Sequence, residues 1–206
     1  TYEVEAALER EPTSTGAFPR SMLWLGEVLA VGDGSSVLLY ARDDDGEWTR
    51  RNSLTVGRAG SEDYGTSLAY DEEADTLYVG APSAESSRGR VYVHRRATQP
   101  TPDLPTVLLA PSNNGPLLFG HSLAISEGIL AVGAPGWSEN GGVSLFALEP
   151  DRPISCGNIT GSLYRFGHSL AMHNGHLAVT SSELQSGAST AGAVVMYRRL
   201  PYNLVP

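Results

Sequence analysis

Apolar residues in this chain come in short runs separated by clusters of Gly, Asp, Asn, Ser and Pro. VLLYAR (37–42), RVYVHRR (90–96), GVSLFAL (142–148) and AVVMYRR (193–199) are representative. No stretch sustains a helical period, so the pattern predicts short strands joined by tight turns. The turn chemistry agrees. Asp45-Gly46 and Asn174-Gly175 put Gly where a hairpin needs positive φ.

The runs repeat. FPRSMLWLGEVLAVGD (18–33), YGTSLAYDEEADTLYVGAP (64–82), FGHSLAISEGILAVGAP (119–135) and FGHSLAMHNGHLAVTS (166–181) align, with leading aromatics Phe18, Tyr64, Phe119 and Phe166. Each segment predicts two strands, and one of the runs above follows as a third. The fourth strand is expected in the run ahead of each aromatic: EVEAALE, EWTRRNSLTV, LPTVLLA and ISCGNIT. Four-stranded units of about 50 residues are the signature of a β-propeller. The expected fold is therefore all-β, a propeller of four-stranded antiparallel blades in one domain over 1–206. The repeats run over about 11–55, 56–110, 111–158 and 159–199, followed by a tail at 200–206. Residues 1–10 are a candidate closing strand for the last blade, which would seal a four-bladed ring; the alternative is that the four blades are part of a larger ring.

The linked motifs F-G-x-S-L-A, L-A-V-G-A-P and G-x-V-x-x-F/Y resemble the FG-GAP repeat of integrin α-subunit propellers. Copy one departs most, with Pro19 in place of Gly and Gly32-Asp33-Gly34 in place of Gly-Ala-Pro. Copy four reads Thr180-Ser181-Ser182 at that place. The resemblance implies a non-enzymatic binding or adhesion module, extracellular or at a cell surface, presenting its loops to a protein or glycan partner. The alternatives are an accessory propeller of a larger enzyme and a structural subunit of a filament or coat.

Read alone, Gly-His-Ser-Leu looks like the start of a hydrolase nucleophile elbow, with Ser122 or Ser169 as the attacking group. The same slot holds Ser21 and Ser67, the elbow's last Gly is Ala124 or Ala171, and no helical pattern follows. These serines are expected to be structural. No catalytic residue is assigned.

Composition narrows the partners. A formal charge of -9, with all 14 basic residues Arg, argues against nucleic acid. No apolar run approaches the roughly 20 residues that span a bilayer, so no membrane insertion is expected. The single cysteine, Cys156, excludes an internal disulfide and is expected to be a small buried hydrophobe. Asn158-Ile159-Thr160 is a glycosylation sequon, expected on a loop between blades.

Ligand contacts are expected on the loops joining blades and on those between second and third strands, the latter at 33–36, 83–89, 136–141 and 181–192. Candidate contact residues are Asp33, Trp137, Glu139 and Asn140. Trp137 is the first anchor to consider, because it is a large aromatic in the polar loop GWSENGG; the alternative is that it caps a neighbouring blade. Trp24 and Trp48 are read as packing residues. The resemblance also brings a calcium loop of the form D-x-D-x-D-G, which this chain lacks. Asp71, Glu73 and Asp75 are weak calcium candidates, short of the turn Gly and the bidentate acid. No cofactor is expected otherwise.

Overall fold

Each leading aromatic precedes a meander of antiparallel strands, and Tyr64, Phe119 and Phe166 each bridge to a glycine of the blade before. The structure is a computed structural model and describes residues 3–8, 18–56, 62–100, 103–111, 115–181 and 192–199. Blade one is β1 (Ser21–Leu25), β2 (Val28–Gly32), β3 (Ser36–Arg42) and β4 (Trp48–Thr55). Blade two is β5 (Ser67–Asp71), β6 (Thr76–Ala81), β7 (Arg90–Arg95) and β8 (Thr106–Leu109). Blade three is β9 (Ser122–Ser126), β10 (Ile129–Ala134), β11 (Gly142–Leu148) and β12 (Pro153–Thr160). Blade four has three described strands, β13 (Leu170–His173), β14 (His176–Ser181) and β15 (Ala193–Arg198). Strands pair in chain order within every blade. The first strands stand side by side, β1 next to β5, β5 next to β9 and β9 next to β13.

The core lies between blades. Leu25, Ala30, Val37 and Leu39 of blade one meet Tyr64, Leu77, Val79 and Tyr92 of blade two. Ala69, Tyr78, Val91 and Val93 then meet Phe119, Leu130, Val132 and Phe146 of blade three. Ala131 and Val143 meet Phe166, Leu177 and Val179 of blade four. Strands buried on both faces read as apolar runs instead of alternations, which is why β6 and β10 look continuous in the sequence. Tyr64, Phe119 and Phe166 are fully buried. Each meets an aromatic of its own third strand edge-on: Tyr92 at 5.4 Å, Phe146 at 6.2 Å and Tyr197 at 6.2 Å between centroids. Burying one such ring is worth about 1.5–3 kcal/mol.

A second device joins the blades, and it is polar. Ser21 Oγ donates to the Gly65 carbonyl at 2.6 Å, Ser67 to Gly120 at 2.7 Å and Ser122 to Gly167 at 2.8 Å. The accepting glycines have φ of +85°, +86° and +90°, where a side chain would be strained. The same three carbonyls press against Gly32, Gly80 and Gly133, at which a Cβ would lie 2.0–2.1 Å from the oxygen. So the recurring Gly and Ser of each repeat are one interblade latch. Of the two serines that resemble a nucleophile, Ser122 spends its hydroxyl in it, as Ser21 and Ser67 do in the same slot.

Three expectations are corrected. Residues 3–8 form no strand. Instead Glu5 accepts from the Arg42 guanidinium and, at 2.9 Å, from the Trp48 indole N–H. Leu8 packs with Phe18, Leu29 and Trp48 against Val31, Leu38 and Tyr40. This segment therefore covers blade one and does not complete blade four, because blade one offers its carboxylate a cation and an N–H and its leucine an apolar face. Cys156 is exposed. It is the extra residue of a bulge, since Leu145 pairs with Gly157 and Phe146 with Ser155, leaving Cys156 without a partner across β11. Asn158 lies in outer strand β12 and not in a loop; its side chain is exposed.

Candidate ligand-binding groove

The loops expected to carry contacts turn out to be occupied with holding the blades. Asp33 is only 2% exposed. Its Oδ1 accepts the N–H groups of Ser35 (2.8 Å) and Ser36 (2.6 Å) and the Ser35 hydroxyl (2.9 Å), which fixes the β2–β3 turn. Trp137 is half-buried, and its indole covers Gly142 so closely that a Cβ there would lie 2.6 Å from Cε3. It packs on the cluster between blades two and three, the capping role and not that of a free anchor. The Asn140 carbonyl accepts the Phe166 N–H at 2.7 Å, so this loop seats the aromatic of the next blade. Glu139 is exposed. Residues 182–191 of the last loop lie outside the described residues.

The acidic turn is likewise spent on structure. Asp75 accepts the Tyr70 hydroxyl at 3.0 Å and the Thr98 N–H and hydroxyl at 3.1 and 2.9 Å. Asp71 Oδ1 accepts the Ala74 N–H at 3.4 Å, and Glu73 is exposed. Among the described residues no three His, Cys, Asp or Glu converge on a point where a cation could sit. With Asp75 committed to Thr98 and Tyr70, this turn does not fit the calcium role. Burial, then the bond to Asp75, pushes the Tyr70 hydroxyl up to about 12 and keeps it a donor.

A concave surface with exposed aromatic and charged groups lies at the β1–β2 turn where blade one meets blade two. It is a groove of about 610 Å³ lined by Trp24, Trp48 and Tyr70, with Arg42, Arg51, Glu27 and Glu72 around them. Trp24 is 55% exposed. Its ring stands 5.6 Å from that of Trp48, tilted by 56°. The Arg42 guanidinium lies 5.5 Å over the Trp48 ring and is held there by Glu5. Tyr70 is oriented by Asp75. The result is a partly fixed aromatic wall with donors and acceptors at its rim.

The repeat alignment explains why Trp24 is open. It occupies the slot of Tyr70, Ile125 and Met172, each of which packs against the blade before its own. Its exposure contradicts the packing role expected for it. The available signal was that copy one is the most divergent and that Trp24 is its largest substitution in an interblade slot.

Among solved structures the chain is similar to the N-terminal domain of Nup159, a β-propeller, with a TM-score of 0.53 at 10% identity over 88% of this chain. The fold is a β-propeller. The superposition covers 45% of the Nup159 chain, so this chain spans less than half the length of that neighbour. A GH43 endo-arabinanase from Bacillus licheniformis is also similar, with a TM-score of 0.47 at 13% identity, over 90% of this chain and 73% of that one. No family profile and no curated protein sequence matches the chain. At 10% identity the likeness to the Nup159 propeller speaks for the fold alone, so function must be argued from the groove and the surface.

Proposed function

We propose that this propeller is a non-enzymatic binding module of the FG-GAP type, working outside the cell or at its surface, whose recognition surface is the groove around Trp24. The exposed Trp24 beside Trp48 carries this reading, because a large aromatic left open in a charged concavity is a ligand platform. Indole faces stack on the C–H faces of sugar rings, while Glu27, Glu72, Arg42 and Arg51 offer acceptors and donors to hydroxyls. The ligand class that suits this mixture is a carbohydrate chain. A protein partner is the second reading, favoured by Met22, which is exposed on the same face of β1 as Trp24. The latch bonds of Ser21, Ser67 and Ser122 speak against hydrolysis by these serines. The acidic charge speaks against nucleic acid. Asn158, exposed on β12, is proposed to carry a glycan, in keeping with an extracellular setting.

The test is capture of the chain on an immobilised panel of neutral and acidic oligosaccharides. Trp24→Ala should weaken the best binder at least tenfold, about 1.4 kcal/mol, while leaving the melting temperature within about 2 °C. If Trp24→Ala binds as the unsubstituted chain does, or no oligosaccharide is retained, the carbohydrate assignment fails.

A further inference from the structure

The interblade latch occurs three times with nearly the same geometry, and the places where a fourth would form are both altered. On blade four the position of Gly32, Gly80 and Gly133 is Thr180. Its backbone plays the same part: the Thr180 carbonyl accepts the Gly167 N–H at 3.1 Å, as the Gly133 carbonyl accepts that of Gly120 at 3.1 Å. The Thr180 side chain must therefore project where the next blade's glycine carbonyl sits in the other junctions. There, a Cβ falls 2.0–2.1 Å from the oxygen and 2.2–2.6 Å from the latch serine's Oγ. Two heavy atoms cannot share such a distance. Thr180 thus takes the seat of the incoming carbonyl and the rotamer its own serine would need.

The Thr180 hydroxyl is already engaged, its Oγ1 accepting the Ser169 N–H at 2.9 Å. Ser169, the fourth latch serine, is exposed and bonds to no following carbonyl among the described residues. Blade one is altered in the complementary half. The position of Gly65, Gly120 and Gly167 is Pro19, whose ring holds φ near −65°. It cannot present its carbonyl from a φ of +85° to +90°, as those glycines do.

At three positions the free face of blade four is more polar than the faces of blades one and three, although blade two carries Asp71, Thr76 and Arg95 there. Where blade three turns Ser126, Ile129 and Ala147 toward blade four, blade four carries His173, His176 and Arg198. Val194 and Met196, in the slots of Val143 and Leu145, are 63% and 64% exposed. Terminal units of repeat arrays show this change, with the internal stacking chemistry replaced on the outer face.

We infer that blades one and four are terminal blades: the four form an arc whose two end faces take no further blade, of this chain or of a second copy, through the junction that joins the others. Thr180 and Pro19 are the blocking residues. A four-bladed ring sealed by a fourth latch is thereby excluded, and the Trp24 side of blade one remains a surface.

Two arginine substitutions at the same place in successive blades test this. Ala131 is buried at the blade three–four junction, and Ala178 is its counterpart on the free face of blade four. Melting and sedimentation velocity are measured on the full chain and both variants. Ala131→Arg should abolish the cooperative transition. Ala178→Arg should shift the melting temperature by less than about 2 °C and leave the sedimentation coefficient unchanged. A destabilisation by Ala178→Arg approaching that of Ala131→Arg would show blade four sealed against blade one. An unsubstituted chain that self-associates, and that Ala178→Arg converts to monomer, would show a second copy docked there. Tolerance of Ala131→Arg would overturn the premise that these faces need close approach.

Discussion

His94 shows how one residue of a repeat sets a condition on stability. It lies on β7, 2% exposed, with Nε2 2.6 Å from the Tyr64 hydroxyl. Burial holds its imidazole down at about 4, below the ordinary 6.5, so the folded protein keeps it neutral. The unfolded chain takes up that proton as pH falls through 6.5. Stability from this residue is therefore complete above pH 6.5 and is lost between 6.5 and about 4, at up to about 1.4 kcal/mol per pH unit. His121 acts in the same direction, lowered by burial and then by the neighbouring His168, whose ring lies 4.7 Å away. Urea unfolding at pH 7.5, 6 and 5 should show a falling midpoint. His94→Gln, which retains an acceptor for Tyr64, should flatten part of that fall. An equal pH dependence in the variant would place the sensitivity elsewhere.

At the scale of the element, the latch makes two outwardly identical residues unequal. Ser67 and Ser169 occupy one slot in the repeat, yet Ser67 donates to the carbonyl of Gly120 in the next blade and Ser169, among the described residues, to none in a following blade. Ser67→Ala should cost about 1 kcal/mol or more, because it removes a bond and leaves a confined carbonyl without its donor. Ser169→Ala should cost less than about 0.5 kcal/mol. Denaturant midpoints at constant m-value decide it, and equal losses would mean that the hydroxyl matters for something other than the latch. The same contrast governs the outer strands. β4 and β12 each carry a bulge opposite the third strand, at Leu39/Tyr40 and Leu145/Phe146. One such bulge turns Cys156 outward, and no count of hydrophobic residues would reveal it.

For the whole molecule, the open face of blade one and the segment at 3–8 belong together. Val31, Leu38 and Tyr40 are buried although no blade precedes them among the described residues, with Leu8 and Phe18 packed beside them. Deleting residues 1–8 should lower stability by about 1–2 kcal/mol, mostly from lost apolar cover and little from the exposed Glu5–Arg42 pair. Hydrogen exchange should show the protection lost in β1–β4 and retained in β13–β15. Loss concentrated in β15 would instead mean that the segment is a clasp for blade four.

Blade number, strand order within a blade and the structural role of Ser21, Ser67 and Ser122 were legible in the chain, because hairpin turns and interblade slots are local chemistry that recurs from copy to copy. The divergences at Pro19 and Thr180 were visible too, though not their consequence. That consequence depends on a carbonyl some 50 residues away in sequence, pressed against a glycine. Which aromatic stands open was decided by tertiary structure for the same reason. Trp137 is covered because blades two and three supply a junction for it to cap, whereas Trp24 sits in an interblade slot with no blade before it among the described residues. Exposure belongs to the pair of surfaces, and only the folded structure says which surfaces have a partner.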